Sequence, residues 1–274
     1  LIIAEKIANN AKKNKIDLDE IKNIPNLNHW FKKDIQESTL KLKKEISSVS
    51  SSLFSNALKL CLSSILVKIS NQESDTRYAA INKNIKGEDV YSLFLKSVKK
   101  LVSAKKHTIT KKASVQIINQ DILTVEDKDI NQKISLVITS PPYPNAYEYW
   151  LYHKYRMFWL DFDPLKVKDK EIGARAHFFK KNHHTKQDFF DQMTKTFGLI
   201  SKVLIKNGYA VFIVGRSKIH GELVDNAEII RKAAETNGLT FEGKIKRLIK
   251  SNSKSFNLSH ANIKNEELVV LRNN

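Results

Sequence analysis

The sequence predicts an α/β fold in which a mostly parallel sheet is closed by antiparallel strands and accompanied by a helical insertion. Residues 134–142, Ile-Ser-Leu-Val-Ile-Thr-Ser-Pro-Pro, begin as a β-branched apolar run typical of a buried strand and stop at two prolines, which cannot continue a ladder. A second apolar run, 209–215, follows a helical amphipathic pattern at 189–205. Residues 221–237 predict a further helix, and residues 241–248 and 267–272 predict the closing antiparallel pair.

The composition favours a polyanionic partner. The 274 residues include 47 Lys and Arg against 29 Asp and Glu, a formal net charge of +18. A Lys-, Asn- and Ile-rich composition from an AT-rich genome is the alternative origin of this charge. No apolar run approaches the roughly 18 residues of a membrane span, so we expect no membrane partner and a cytoplasmic location. The single cysteine, Cys61, excludes an intrachain disulfide and a multi-cysteine zinc site, and its apolar helical context predicts core packing.

The most informative stretch is Thr139-Ser-Pro-Pro-Tyr143, at the end of the apolar run that begins at Ile134. The two prolines fix φ and restrict the residue before each of them. Ser140, two proline carbonyls and the Tyr143 ring are therefore expected at the carboxyl end of a strand, where ligands bind in open α/β sheets. The structural alternative is a strand that runs into a proline-rich turn.

This stretch resembles motif IV of the DNA amino-methyltransferases, which transfer a methyl group from S-adenosylmethionine to an exocyclic nitrogen of a DNA base. The resemblance implies a Rossmann-like S-adenosylmethionine-dependent methyltransferase fold with Ser140, Pro141, Pro142 and Tyr143 as catalytic residues. Ser140 Oγ and the Pro141 carbonyl would accept the amino hydrogens, and Tyr143 would stack on a base that has left the duplex. In this resemblance, a serine directly before the two prolines, here Ser140, favours cytosine N4 over adenine N6. The sequence has no Pro-Cys context, which argues against carbon-5 methylation.

The resemblance also predicts three cofactor-binding residues. Asp121 ends a predicted strand at 114–121, as the acidic residue of motif III does; the alternative is an N-cap for a helix over 122–129. Thr139 and Gly215 lie at the carboxyl ends of the other two predicted strands, at the cofactor edge. None of the eight glycines forms a Gly-x-Gly pair, so the glycine loop of motif I is expected from an upstream segment or a companion polypeptide.

Residues 147–159 interleave aromatic rings with Lys and Arg, which suits contacts to a splayed base and its phosphates, although the pattern also fits a core helix. We expect Phe158 and Trp159 to point inward. Residues 163–188 are basic and predict a mobile loop over the DNA or the active site, and their scattered histidines do not predict a metal site. The predicted nucleic-acid contacts are Tyr147, Lys154, Arg156, Arg175, Lys254 and Asn257.

The expected organisation is a helix of the methyltransferase core at 1–22, a helical insertion at 23–112 and the catalytic core at 113–274. The expected function is site-specific methylation of double-stranded DNA in a prokaryotic cytoplasm, with a restriction endonuclease as a possible partner of a restriction-modification system. Two alternatives remain open at this stage. One is an RNA amino-methyltransferase, and the other is a non-catalytic DNA-binding subunit of a split or degenerate methyltransferase.

Overall fold

The computed structural model describes residues 1–21, 23–106, 114–144, 147–179, 183–249 and 265–274. Its helices are α1 (Ile2–Lys13), α2 (Leu27–Trp30), α3 (Lys33–Ser47), α4 (Ser52–Ile69), α5 (Gly87–Lys106), α6 (Tyr149–Tyr152), α7 (Lys154–Trp159), α8 (Pro164–Lys168), α9 (Arg175–Phe179), α10 (Lys186–Val203) and α11 (Asn226–Thr236). Its strands are β1 (Gln72–Ser74), β2 (Arg77–Ala80), β3 (Ile134–Thr139), β4 (Leu204–Val214), β5 (Ser217–Ile219), β6 (Glu222–Val224), β7 (Leu239–Leu248) and β8 (Asn265–Asn273). Short 3-10 helices cover Leu18–Ile21 and Asp127–Asp129.

The chain forms two compact units. The first unit combines Leu1–Lys112 with Leu151–Pro164, and the second combines Ala113–Trp150 with Leu165–Asn274. Each unit has its own cluster of buried apolar side chains. The expected assignment of residues 1–22 to the catalytic core remains a prediction, and in the structure α1 packs on α3 and α5 in the first unit.

The first unit is helical because its helices each have one apolar face that the others cover. Ile35 and Ile46 of α3 and Leu62 of α4 are at most 1% exposed. Cys61 is buried in the same cluster, as its sequence context predicts. Although no uninterrupted apolar run of this length was expected, α4 alone among the described helices is long and apolar enough to cross a membrane, and part of its surface packs in this core. Residues 75–78 form the turn between β1 and β2 and the first two residues of β2.

The second unit contains a four-stranded sheet in the order β3-β4-β8-β7. β3 pairs with β4 in parallel, whereas β4 with β8 and β7 with β8 pair antiparallel. The closing antiparallel pair is therefore confirmed. The expectation of a mostly parallel sheet is wrong for the described residues, because one of their three strand pairs in this sheet is parallel. Apolar runs predict strands, but they carry no information on strand direction.

One face of this sheet carries the core of the second unit. Phe212 of β4 and Val269 of β8 are at most 1% exposed and cluster with buried side chains of α10 and α11. On β3, by contrast, two apolar side chains that point to the same face are exposed to solvent, Leu136 by 49% and Ile138 by 66%. β3 is also one of the two edge strands of this sheet, with β4 as its one partner among the described strands.

Three other sequence expectations differ from the structure. Residues 114–119 have no strand pairing, and Ile117 is 87% exposed. The helix expected from residue 221 begins at Asn226, because residues 217–224 form the β5–β6 hairpin instead. The stretch 163–188, expected as a mobile loop, contains α8 and α9 in its described part. In each case tertiary pairing or packing, which a single sequence does not display, decides the outcome.

Candidate active site

The Ser-Pro-Pro-Tyr segment lies at the carboxyl end of β3. Thr139 is the last residue of β3 and lies opposite Phe212 of β4. Because the two strands are parallel, Gly215, which follows β4, lies at the same edge of the sheet. Ser140 Oγ donates a hydrogen bond to the Ile213 carbonyl oxygen at 3.1 Å. That bond uses the hydroxyl proton, so the Ser140 oxygen presents acceptor lone pairs to any further partner.

Tyr143 is half-buried and packs against the core of the second unit. Burial is the main cause that raises the pKa of the Tyr143 phenol, and the Glu266 carboxylate raises it further. The phenol is therefore neutral at physiological pH. A neutral, partly packed ring is suited to stacking and not to proton abstraction.

The loop after β4 is held by a buried amide that the sequence did not single out. Asn226, the first residue of α11, is fully buried, and its Nδ2 donates to the Gly215 carbonyl and to Ser217 Oγ, both at 2.7 Å. Asn226 Oδ1 is buried and accepts no hydrogen bond within the described part of the chain. Asp225-Asn226 at a helix start is the one signal in the sequence, and Asp225 does cap α11.

Asp121 closes a local turn. Its Oδ1 accepts a hydrogen bond from the Leu123 N–H at 3.0 Å, and its carbonyl accepts one from the Thr124 N–H at 2.8 Å. Asp121 therefore accepts the kind of hydrogen bond that an N-cap residue accepts, as the alternative interpretation expected. The segment that follows it is a turn, however, and not a helix over 122–129. The cofactor role of Asp121 remains a prediction.

Residues 171–173, in the same unit, contact the residues that follow the two prolines. Glu171 accepts two backbone hydrogen bonds, from the Tyr149 N–H to Oε1 at 2.6 Å and from the Trp150 N–H to Oε2 at 3.0 Å. Gly173 lies directly against the Tyr143 carbonyl, because a Cβ at this position would be 2.7 Å from that oxygen. No pattern in the sequence indicates these contacts.

The predicted nucleic-acid contacts are divided between the units. In the second unit, the Tyr147 ring lies 4.4 Å from that of Tyr149, and Arg175 is exposed with its guanidinium over the Phe179 ring at 5.2 Å. Lys154 and Arg156 belong to the first unit, as does Trp159.

Arg156 forms an ion pair with Asp75 at 2.5 Å. Lys154 Nζ lies 6.0 Å and 5.9 Å from the centres of the Tyr155 and Phe158 rings. Trp159 is fully buried, as expected, and Phe158 packs against the same core. Lys254 and Asn257 lie outside the described residues.

The histidines expected to be unrelated to metal binding contact one another and the backbone. His177 is buried and its Nε2 lies 2.9 Å from the Lys168 carbonyl oxygen. Its ring packs on that of His184 at 4.9 Å. Within the described ranges, no three His, Cys, Asp or Glu side chains come together as metal ligands would.

No protein-family model and no curated protein matches this chain. Two crystal structures of a candidate DNA modification methylase from Thermus thermophilus are similar to it. The selenomethionine derivative is 14% identical with a TM-score of 0.31, and the match covers 55% of this chain and 47% of that one. The other is 15% identical with a TM-score of 0.33, and the match covers 56% and 51%. The match spans about half the length of these structures, and similarity at this level carries no functional argument.

Proposed function

We propose that this chain carries the catalytic segment of an S-adenosylmethionine-dependent DNA amino-methyltransferase, with cytosine N4 favoured over adenine N6. The observation that carries the proposal is the rigid segment Ser140-Pro-Pro-Tyr143 at the carboxyl end of β3, with the Ser140 hydroxyl oriented by the Ile213 carbonyl. The motif supports the reaction class, and the strand end supports its placement at a ligand-binding edge.

The chemistry explains why these residue types suit the reaction. An exocyclic amino nitrogen is a poor nucleophile because its lone pair is delocalised into the base. Acceptors for its two N–H bonds return electron density to the nitrogen, and Ser140 Oγ and the Pro141 carbonyl are suited to this role. The hydrogen bond to Ile213 keeps Ser140 Oγ from acting as the donor toward the base. The proton leaves to water after transfer, so no side chain is required as a base.

Tyr143 is proposed to stack on the target base. Its burial keeps the phenol neutral, and a neutral ring with one packed side is a fixed platform for an extruded base. A duplex base cannot be reached without leaving the stack, so the substrate is a flipped nucleotide. The aromatic ring also suits a nearby sulfonium cation.

The proposed cofactor residues are Thr139, Gly215 and Asp121. S-adenosylmethionine supplies the electrophilic methyl group on its sulfonium. The edge at Gly215 fits a ligand with N–H or O–H donors, because Asn226 Oδ1 is a buried acceptor beside it that accepts no hydrogen bond within the described residues. Gly215 itself is buried, and its carbonyl is held by the amide of Asn226.

We further propose that the sheet is extended at β3 by a strand from a companion polypeptide or an upstream segment that carries the glycine loop. The edge of β3 supports this, because β4 is its one partner among the described strands and residues 134–139 contain no charge or proline. Leu136 and Ile138 are exposed, so the face of β3 on which they lie is also uncovered in the described part of the chain. Parallel strands are normally buried on both faces. Double-stranded DNA as substrate, a restriction endonuclease as a further partner and a cytoplasmic location belong to the same proposal.

The direct test uses Ser140→Ala in a methylation assay with labelled S-adenosylmethionine and duplex DNA, with the chain alone and with its companion. We expect the rate to fall about tenfold to a hundredfold, because one acceptor for the reacting amino group is lost. The modified nucleoside, identified by mass spectrometry after digestion, distinguishes cytosine N4 from adenine N6. Ser135→Ala changes an exposed serine on β3, the strand that precedes Ser140; it is the matched control and should not change the rate.

Three results would contradict the proposal. A wild-type rate in Ser140→Ala excludes the catalytic role of the hydroxyl. Label in RNA but not in duplex DNA favours the RNA amino-methyltransferase. DNA binding without methyl transfer in the complete assembly, together with no S-adenosylmethionine binding by calorimetry, favours a non-catalytic subunit.

A further inference from the structure

We propose that Glu171 and Gly173 form a clamp that holds the chain on the far side of the two prolines, so that Tyr143 is presented in one fixed position. The inference rests on the proposed function for its catalytic consequence, and its structural part stands independently. Glu171 and Gly173 act through Tyr143 and the start of α6, so they are positioning residues. The name Glu171–Gly173 clamp refers to these two residues and their contacts with Tyr143, Tyr149 and Trp150.

The first contact of the clamp is a carboxylate at the start of α6. The first N–H groups of any helix have no partner within the helix. Glu171 accepts from two of them, the N–H of Tyr149 at 2.6 Å and the N–H of Trp150 at 3.0 Å, with one oxygen each. Because both oxygens are used as acceptors, a carboxylate satisfies the site and an amide does not.

The second contact is a backbone approach that only glycine permits. Gly173 has φ +74, and a Cβ there would lie 2.7 Å from the Tyr143 oxygen and 2.9 Å from its carbonyl carbon. It would also lie 3.1 Å from the Pro142 oxygen. The backbone of residues 142–143 is thus in direct contact with Gly173, and a side chain there would push Tyr143 away.

A third contact reinforces the same alignment. Glu148 Oε1 accepts a hydrogen bond from the Ala176 N–H at 3.2 Å, so each of the two segments supplies a carboxylate to the other. The Lys168 ammonium lies 5.2 Å from the centre of the Trp150 ring. These contacts leave little freedom for the backbone of residues 147–150.

The protonation state of Glu171 depends on pH, and the strength of the clamp should depend on it too. Burial is the main cause that raises its pKa, the hydrogen bonds from Trp150 and Tyr149 lower it, the charge of Glu148 raises it and His177 lowers it. Protonation converts one oxygen from a pure acceptor into a hydroxyl. The clamp is therefore complete above the raised pKa and weakens as the pH falls through it.

Amide exchange measured by mass spectrometry tests the structural part on the full chain. In Glu171→Gln, peptides that contain Tyr149 and Trp150 should exchange about tenfold faster or more, because one N–H loses a charged acceptor. Asp188→Asn is the matched control, since the Asp188 carboxylate accepts the Thr185 N–H at the start of α10 in the same unit, and its hydrogen bonds among the described residues do not involve Tyr149 or Trp150. Unchanged exchange in Glu171→Gln, or equal acceleration in Asp188→Asn, overturns the clamp.

Gly173→Ala tests the second contact with its own control. Gly238 has φ +80, and a Cβ added there would meet nothing within 4 Å, so Gly238→Ala carries a comparable backbone strain without the collision at Tyr143. Faster exchange in peptides containing Tyr143 is expected in Gly173→Ala and not in Gly238→Ala. The same response in both variants means that strain alone is responsible, and the clamp is then excluded.

The catalytic consequence is measured in the methylating assembly. Glu171→Gln and Gly173→Ala should lower kcat about tenfold or more while the dissociation constant of S-adenosylmethionine stays unchanged, and Glu171→Gln should lose the acid limb that Glu171 contributes to the pH profile. Equal losses in kcat and cofactor affinity overturn the positioning role. If the wild-type assembly does not methylate, the proposed function fails, and the exchange measurements still decide the clamp.

Discussion

At the scale of single residues, the candidate site depends on polar side chains whose hydrogen bonds go to backbone groups. Ser140 donates to Ile213, Asn226 donates to Gly215, and Glu171 accepts from the start of α6. Each of these bonds fixes a segment that follows a strand or precedes a helix. Orientation of the site is therefore set by side chain to backbone contacts, which are sensitive to the loss of a single donor or acceptor.

Asn226→Asp should destabilise the second unit. The change replaces the Nδ2 donor with an oxygen that faces the Gly215 carbonyl in a fully buried site, so repulsion is added to a lost hydrogen bond. We expect the free energy of unfolding to fall by about 2–3 kcal/mol at neutral pH in urea titrations. Burial raises the pKa of such an aspartate, so part of the loss should be recovered as the pH falls and the carboxyl regains a proton to donate.

Asn237→Asp provides the comparison for that change. Asn237 Nδ2 also donates to two oxygens, the carbonyls of Thr194 at 3.0 Å and Ala233 at 2.9 Å, but the residue is partly exposed. Solvent can compensate there, so the loss should be smaller. Equal losses at the two positions would show that burial of Asn226 does not matter.

At the scale of secondary-structure elements, the site is the carboxyl edge of one parallel strand pair supported by α11. β3 and β4 bring Thr139 and Gly215 to the same edge. α11 packs against β4, β7 and β8, and its first residue, Asn226, holds the loop after β4. The start of α11 is thus part of the support for the site as well as part of the core.

Asp225→Ala should shift the free energy of unfolding by about 1 kcal/mol, in the destabilising direction. The Asp225 carboxylate accepts hydrogen bonds from the Ala227 and Glu228 N–H groups at 3.1 Å and 3.2 Å, and alanine leaves both without this partner. Asp225→Ser, which keeps an N-cap oxygen, should retain most of the stability. If both variants unfold at the wild-type urea concentration, the cap does not stabilise α11.

At the scale of the whole molecule, the net charge of +18 is the property that bears most on which partners the chain can bind. A surface of this charge releases counterions when it binds a polyanion, so the DNA binding proposed above should weaken as the salt concentration rises. Three ion pairs join β7 and β8, namely Lys244 with Glu267, Arg247 with Glu266 and Arg272 with Glu242, and their acidic members are already counted in this net charge.

We expect the affinity for a short duplex, measured by fluorescence anisotropy, to fall about a hundredfold or more between roughly 50 and 200 mM KCl, as for a protein with several phosphate contacts. Polyglutamate of equal charge serves as the competitor control. An affinity for DNA that does not change with salt contradicts electrostatic binding. Complete displacement by an equal charge of polyglutamate would show that net charge alone accounts for the binding.

Local patterns in the amino-acid sequence were enough to predict most of the elements and the segment on which the proposed chemistry depends. The apolar run 134–139, the two prolines and the strands near residues 209–215, 241–248 and 267–272 are such patterns, and each is visible in one sequence. The helical character of residues 23–106 and the burial of Cys61 follow from the same periodicity.

Only the tertiary structure shows the strand directions and the hydrogen-bond partners of the site residues. It also shows that the aromatic stretch 147–159 is divided between the two units. Strand direction depends on the path of the chain between strands, which apolar alternation does not encode. The contacts of Glu171 with Trp150, and of Gly173 with Tyr143, join residues more than twenty positions apart, so no local spacing reveals them. The sequence determines the chemistry of each side chain, whereas the tertiary structure determines which donor or acceptor that side chain contacts.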